Sequence, residues 1–338
     1  MQTNTLIETL DTHTAGEPTR IVTSGVDRSQ IRGGSVADQR DRFAESHDWL
    51  RELLMCEPRG HDDMFGAVPA EPRADEADVG LFFMDSRGYL DMCGHGTIGA
   101  VTALIETGQL AHRETVIVET PAGLVRTHPT MVDGRIGRVA IENVDSFVYD
   151  AVTVSVEYDG AVRSIPVDVV FAGNAFALVD TDGIGVAVEP ERADEFVELG
   201  LAVRRAVNDR LEITHPFTGE RDEVSIVECY ERGEDADRNV VVFGDGQVDR
   251  SPCGTGTCAK MTLLHHEGEL AVEEPYRYES IIGTRFSGRL LEATSRKGIT
   301  ITTPEVTGSA HITGQHTFLR DERDDLASFS LSTATGGD

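Results

Sequence analysis

The chain has almost no lysine: of its 30 basic residues only Lys260 and Lys297 are lysine, and the rest are arginine. Against them stand 59 acidic residues, for a formal net charge of −29. A polyanion of this kind repels nucleic acid and anionic membranes, which argues against both as partners. The acids are spread along the whole chain instead of gathering in one tail, so they read as a solvated surface. Lysine-poor, Asp/Glu-rich surfaces resemble those of proteins from salt-loving organisms. Molar salt shortens the screening length to about 3 Å, and stability is expected to rise with salt.

Long apolar runs are missing too. None reaches the roughly 20 residues that a bilayer span requires. The opening stretch MQTNTLIETLDTHTAGEPTR has no basic segment leading into an apolar one. No secretory leader is expected, and the expected location is the cytoplasm. Cysteine is scarce and odd in number: Cys56, Cys93, Cys229, Cys253 and Cys258. No C-x-x-C occurs, so neither a disulfide framework nor a structural zinc site is expected. The runs His61–Asp63 and His265–His266 are poor metal sites, because adjacent ligands in a helix do not face one centre. No metal is expected.

Strand signals dominate what is present. Short β-branched runs occur at Val116–Thr120, Arg138–Val144, Val152–Tyr158, Ile165–Phe171, Val224–Tyr230 and Asn239–Phe243. Helical spacing of apolar residues marks Arg40–Met55, Glu191–Arg210, Thr97–Gly108 and Thr257–Gly268. The pattern is α/β of the α+β kind, largely antiparallel. It lacks the regular β-α-β alternation of a doubly wound sheet. The tail SFSLSTATGGD is small and polar and is expected to fray.

The two halves echo each other. DMCGHGTIG at Asp91–Gly99 and DRSPCGTGT at Asp249–Thr257 each place an acid, a cysteine and a glycine run ahead of an apolar helix. Each helix is followed by a strand, a glycine-containing turn and a second strand. GHGTIG and GTGTCA also match the dinucleotide fingerprint. That fingerprint requires a parallel βαβ unit, whereas the segments that follow here read as hairpins, so the dinucleotide reading is set aside. What remains is a glycine-rich helix N-terminus that offers free N–H groups to an anion, and a substrate carboxylate suits it as well as a phosphate.

A cysteine at a helix N-terminus has its thiolate favoured by the dipole and the orphan N–H groups. Two such cysteines, one per repeat, fit a specific chemistry. A carbon acid held between them loses its proton to one sulfur and regains one from the other, which inverts the stereocentre without a cofactor. Cys56, Cys229 and Cys258 read instead as buried filler. Asp249, four residues before its cysteine, suits an ammonium group or serves as a turn or cap residue.

MCGHGTIG and DRSPCGTGT resemble the two active-site signatures of the proline racemase family, whose fold is that of diaminopimelate epimerase. DTHTAGEPTR at Asp11–Arg20 and EPRGHDDMFGA at Glu57–Ala67 resemble other segments of that family. The resemblance implies two pseudo-symmetric domains, each a largely antiparallel sheet wrapped around a central helix, with the active site in the cleft between them. The expected division is residues 1–137, completed by a segment of about 310–338, and residues 138–309. The resemblance also implies a PLP-independent racemase or epimerase, and a homodimer. It implies Cys93 and Cys253 as the acid/base pair and the N–H groups of Gly94, His95, Gly254 and Thr255 as the carboxylate clamp. His95 and Asp249 are implied as partners of the substrate amine. Family members that dehydrate trans-3-hydroxyproline usually carry threonine at the second cysteine, so Cys253 disfavours dehydration. At the substrate ring, the resemblance matches Phe65 and Phe243. Two aromatics favour the unsubstituted ring of proline over 4-hydroxyproline, because an unpaired substrate hydroxyl there costs roughly 1–3 kcal/mol.

Overall fold

The computed structural model describes residues 5–158, 160–321, 323–324, 326 and 328–329. The tail expected to fray lies, from residue 330 on, outside the described residues, as do the first four residues of the opening stretch. The chain divides into two units. The first runs to Ile141 and resumes at Gly308; the second is Glu142–Thr307.

The first unit begins with strands β1 (Thr5–Thr14) and β2 (Glu17–Ser24) and helices α1 (Arg28–Ile31) and α2 (Val36–Met55). Strands β3 (Phe65–Ala70), β4 (Val79–Asp85) and β5 (Tyr89–Leu90) lead into helix α3 (Gly94–Glu106). Strands β6 (Val116–Thr120), β7 (Gly123–Val132) and β8 (Arg135–Glu142) follow. The second unit holds β9 (Phe147–Tyr158), β10 (Ala161–Phe171), β11 (Ala175–Asp180), α4 (Ala193–Arg210), β12 (Ile213–Thr214) and β13 (Arg221–Asp222). It continues with β14 (Val224–Glu231), β15 (Asp237–Phe243), β16 (Gln247–Asp249), α5 (Gly254–His266), β17 (Tyr276–Ser280), β18 (Arg285–Arg296) and β19 (Ile299–Gly308). Strand β20 (Ala310–Arg320) returns to the first unit and pairs antiparallel with β1.

The two units repeat one pairing plan. In the first, β1 and β2 are antiparallel, β2 and β3 parallel, β3 and β4 antiparallel, β4 and β6 parallel, and β6 and β7 antiparallel. In the second, the same relations run through β10, β11, β14, β15, β17 and β18. Parallel neighbours need a long crossover. Here α2 and α3 supply those of the first unit, and α4 and α5 those of the second.

The crossovers correct one sequence expectation. Each cysteine corner does open the helix of a parallel β-α-β crossover, with Val79 opposite Val118 in one unit and Asp237 opposite Tyr278 in the other. The hairpins read from the sequence are also present, but they begin on the second strand of each crossover. The acids near the ends of those second strands are already engaged. Glu119 Oε2 accepts the backbone N–H groups of Arg73 and Ala74 at 2.6 and 2.8 Å. Glu279 is paired with Arg238 and Arg285. Neither is left to hold a ribose, so the dinucleotide reading stays set aside.

The helices are of two kinds, and their sequences say which. Helix α4 carries an apolar stripe at Phe196, Leu199, Val203 and Val207, with charged residues elsewhere, and packs one face on its sheet. Helix α2 does the same and starts in a capping box between Ser35 and Asp38. Helices α3 and α5 are different. Every residue from His95 to Leu104 is buried, and so is every residue from Gly256 to Leu264. Such helices are surrounded. Strands β1, β2, β3 and β20 pack on α3, and β9, β10, β11 and β18 on α5. Each unit is thus a sheet curled around a central helix whose N-terminal residue cap is a cysteine.

Candidate active site

Cys93 is the N-cap of α3, in extended backbone at φ −145° and ψ 115°. Its Sγ accepts the backbone N–H of Gly96 at 3.4 Å. Its carbonyl accepts the N–H of Thr97 at 3.0 Å and the Thr97 hydroxyl at 2.7 Å. Cys253 caps α5 by the same bonds: Gly256 N–H to sulfur at 3.4 Å, and Thr257 N–H and hydroxyl to the carbonyl at 2.8 and 2.7 Å. A sulfur that accepts an N–H bond at the positive end of a helix has its anion stabilised. In both helices the first N–H groups, on Gly94 and His95 and on Gly254 and Thr255, have no intrahelical carbonyl to bind. They are the groups that a carboxylate can use.

The surroundings of the two sulfurs differ. Beside Cys93 stands the His95 ring, with Nδ1 at 3.5 Å and Nε2 at 3.6 Å from Sγ. Burial lowers the imidazole to about 3, so the ring is neutral at working pH. The Thr14 hydroxyl donates to the His95 carbonyl at 2.8 Å and ties α3 to β1. The Phe65 ring meets the His95 ring edge-on, with centroids 4.6 Å apart. Structure therefore brings Cys93, Gly94, His95 and Phe65 together.

Beside Cys253 the company is acidic. The Asp249 Oδ1 accepts the backbone N–H and the hydroxyl of Ser251 at 2.8 and 2.7 Å, and Ser251 Oγ accepts the Cys253 N–H at 3.1 Å. Asp249 thus holds the turn that enters the corner, the role its alternative reading gave it. Burial raises its carboxyl to about 6, against the Ser251 bonds that lower it. The Thr255 hydroxyl lies 3.6 Å from Cys253 Sγ. Burial, and then the charges of Asp249 and Glu228, push the Cys253 thiol well above its usual range. Cys253 also differs in backbone: φ is +60°, a conformation that costs a non-glycine residue of order 1–3 kcal/mol and clusters at functional sites. Phe243 ends β15 opposite Gln247 and is partly exposed.

Three other cysteines fall elsewhere. Cys229 and Cys258 are fully buried, and burial raises both thiols. Cys56 departs from the expected filler, for it is only half-buried at the C-terminal cap of α2, its thiol 3.6 Å from the Ser86 carbonyl. Among the described residues no group of histidine, cysteine and acidic side chains is arranged to hold a metal. None of the described helices is long and apolar enough to cross a membrane.

Sequence reasoning passed over four features of these corners. Thr97 and Thr257 lock the caps, and the shared pattern C-G-x-G-T was their visible signal. Ser251 links Asp249 to Cys253, and its signal was its place in DRSPC. Glu228 lies inside an apolar strand run and carried no signal.

Known proteins resemble this chain. The proline racemase family matches residues 9–328. The proline racemase of Clostridioides difficile is 45% identical over 326 residues, covering 95% of this chain and 96% of that protein. The 4-hydroxyproline 2-epimerase of Streptosporangium roseum is 37% identical over 329 residues, covering 96% of this chain and 98% of that protein. A crystal structure of a hydroxyproline epimerase from Agrobacterium vitis, with bound trans-4-hydroxy-L-proline, superposes with a TM-score of 0.86. It is 29% identical, and the match covers 99% of this chain and 98% of that one.

Proposed function

Because the chain belongs to the proline racemase family and is an amino-acid racemase or epimerase, we propose that it interconverts L- and D-proline with Cys93 and Cys253 as its acid and base. The observation that carries this reading is the duplicated cap: two thiols, each at the N-terminus of a surrounded helix, each accepting one N–H at 3.4 Å. One sulfur starts as thiolate and removes the Cα proton. The other starts as thiol and delivers its own proton to the opposite face. Reversing the direction swaps the roles, and no added cofactor takes part.

The substrate carboxylate binds the N–H groups of Gly94, His95, Gly254 and Thr255. Charge that develops on the carboxylate as Cα loses its proton is stabilised by those fixed donors and by the two helix ends. Neutral His95 accepts a hydrogen bond from the substrate ammonium, and the Asp249 carboxylate supplies the opposite charge. Phe65 and Phe243 line the pyrrolidine ring. The Phe65–His95 edge contact supports an apolar wall, and so supports proline over its hydroxylated derivative. The same reading carries the expectation of a homodimer in the cytoplasm.

The second reading, a 4-hydroxyproline 2-epimerase, is favoured by the likeness to enzymes of that name. It shares the mechanism and differs in the ring pocket. Optical rotation separates the two when L-proline and trans-4-hydroxy-L-proline are followed in parallel, in molar KCl with reductant. Decay with proline that Cys93→Ser and Cys253→Ser both abolish is the expected result. Decay with hydroxyproline alone moves the assignment to the epimerase and refutes the Phe65/Phe243 wall. No decay with either substrate overturns both readings and leaves dehydration of 3-hydroxyproline, or binding without turnover.

A further inference from the structure

Glu228, in the middle of β14, is completely buried. Its Oε1 accepts the Tyr278 hydroxyl, and its Oε2 has no hydrogen-bond partner. That free oxygen points at the N-terminus of α5. A Cβ at Gly256 would collide with Glu228 Oε2 and would stand 3.3 Å from Cys253 Sγ. The carboxyl oxygen and the thiol therefore flank the same glycine, whose N–H is bonded to the sulfur at 3.4 Å. Asn239, alongside, donates to the carbonyl of Pro252, the residue before Cys253, at 2.8 Å.

The first unit shows that the fold does not require this cluster. Ala67 faces Phe83 across β3 and β4 as Glu228 faces Val241 across β14 and β15. Val79 faces Val118 as Asp237 faces Tyr278. The counterparts of Glu228, Asn239 and Tyr278 are thus Ala67, Leu81 and Val118, all fully buried and all apolar. Behind Gly96 a Cβ would meet the Phe83 ring instead of a carboxyl. One cysteine backs onto hydrocarbon and the other onto an acid. A buried carboxyl without a full set of partners is costly, and the same position is filled at no such cost in the other repeat.

We propose that Glu228 is a positioning residue for Cys253: its carboxyl, lodged behind Gly256, favours the thiol form of that sulfur and so weights the resting enzyme toward Cys93 as thiolate and Cys253 as thiol. The inference rests on the reading of Cys253 as one of the acid/base pair. A two-base exchange starts from one thiol and one thiolate; two identical corners would populate the two arrangements equally, whereas the carboxyl makes one the major resting form and leaves the other, which the opposite enantiomer uses, as the minor one. Other groups act on the same carboxyl: the neutral hydroxyls of Tyr276 and Tyr278 from β17, Asn239 from β15, Asp249 from β16, Lys260 and the neutral Cys258 from α5, and Cys229 beside it on β14. Burial raises the Glu228 carboxyl to about 7, so its charge, and with it the effect on Cys253, grows as pH rises through neutrality.

Alkylation by iodoacetamide, read for each cysteine by peptide mass spectrometry from pH 5.5 to 9, tests this on the full chain without turnover. In Glu228→Gln, Cys253 should react as in wild type at pH 5.5 and about tenfold faster by pH 8.5, the equivalent of one pK unit. Cys93 should be unchanged throughout. A pH-independent difference, an equal change at Cys93, or no change overturns the proposal. Should Glu228→Gln fail to fold, Tyr278→Phe decides. Without its donor the carboxyl keeps its proton to higher pH, so Cys253 should again react faster near pH 7.5, by about threefold, half a pK unit. A folded Tyr278→Phe enzyme with the wild-type Cys253 profile overturns the proposal. Racemisation by Cys253→Ser would instead overturn the two-thiol reading, whatever the alkylation profiles show.

Discussion

Cys93 and Cys253 share a capping pattern but differ in backbone and in neighbours. Cys93 sits in relaxed extended backbone beside a neutral ring, Cys253 at positive φ beside two buried acids. Serine keeps the cap geometry but not the acidity, so Cys93→Ser and Cys253→Ser should each lower kcat/KM about a thousandfold or more in both directions. Melting temperatures within a few degrees of wild type would assign the loss to chemistry. A second residue-scale expectation concerns Glu228. Its carboxyl titrates at about 7 when folded, against 4.5 for an ordinary glutamate. The folded state therefore binds the extra proton in that window, and the stability this group contributes is lost as pH rises from about 4.5 through 7. Glu228→Gln removes the titration. Urea unfolding at pH 5 and pH 8 should show a smaller loss with pH in the variant, by up to about 3 kcal/mol; equal losses would show that the carboxyl is not buried as described. The two cysteines, His95 and Asp249 were legible because glycine runs and a duplicated pattern surround them. Glu228 was not, because glutamate is almost never fully buried, and in VSIVECY nothing local marks this one as an exception.

At the scale of the element, the work is done by α3 and α5. Each is apolar on all sides because a sheet surrounds it, and each begins with a cysteine whose sulfur accepts an N–H of its first turn. The glycine three residues after each cysteine lets the helix pass close to what lies behind it. Gly256→Ala drives a methyl into the Glu228 carboxyl, and relieving the overlap should shift the start of α5 by about 1 Å. Misplacement of a reacting group on that scale can cost about a hundredfold. Steady-state kinetics should show the loss in kcat with KM little changed; full activity would mean that α5 tolerates the methyl and that its close approach is not needed. Thr97→Val removes a hydroxyl bond to the Cys93 carbonyl and should cost about 1 kcal/mol of stability, measured by urea denaturation. The four principal helices were legible from period, and β6, β8, β9, β10, β14 and β15 from β-branching. The parallel pairings of β2 with β3, β4 with β6, and their counterparts were not. Their partners are separated by a whole helix, and no local pattern records which strand a crossover returns to.

At the scale of the molecule, the repeated pairing plan explains why one motif occurs twice, and the charge explains the surface around it. With 59 acids, 30 basic residues and only two lysines, the folded chain repels itself in dilute buffer, and salt relieves that repulsion. The melting temperature should rise between dilute buffer and 2 M KCl; an unchanged value would refute a salt-adapted surface. The central claim is that one thiol takes the Cα proton while the other gives a different one. The measurement that reads it most directly is early-time racemisation of L-proline in D2O, with both enantiomers isolated and their Cα deuterium measured. The two-thiol account predicts D-proline that carries deuterium while the remaining L-proline carries almost none, and the mirror result from D-proline. D-proline that retains the original proton, or deuterium appearing equally in both enantiomers, would mean that a single base serves both faces, and would contradict the account.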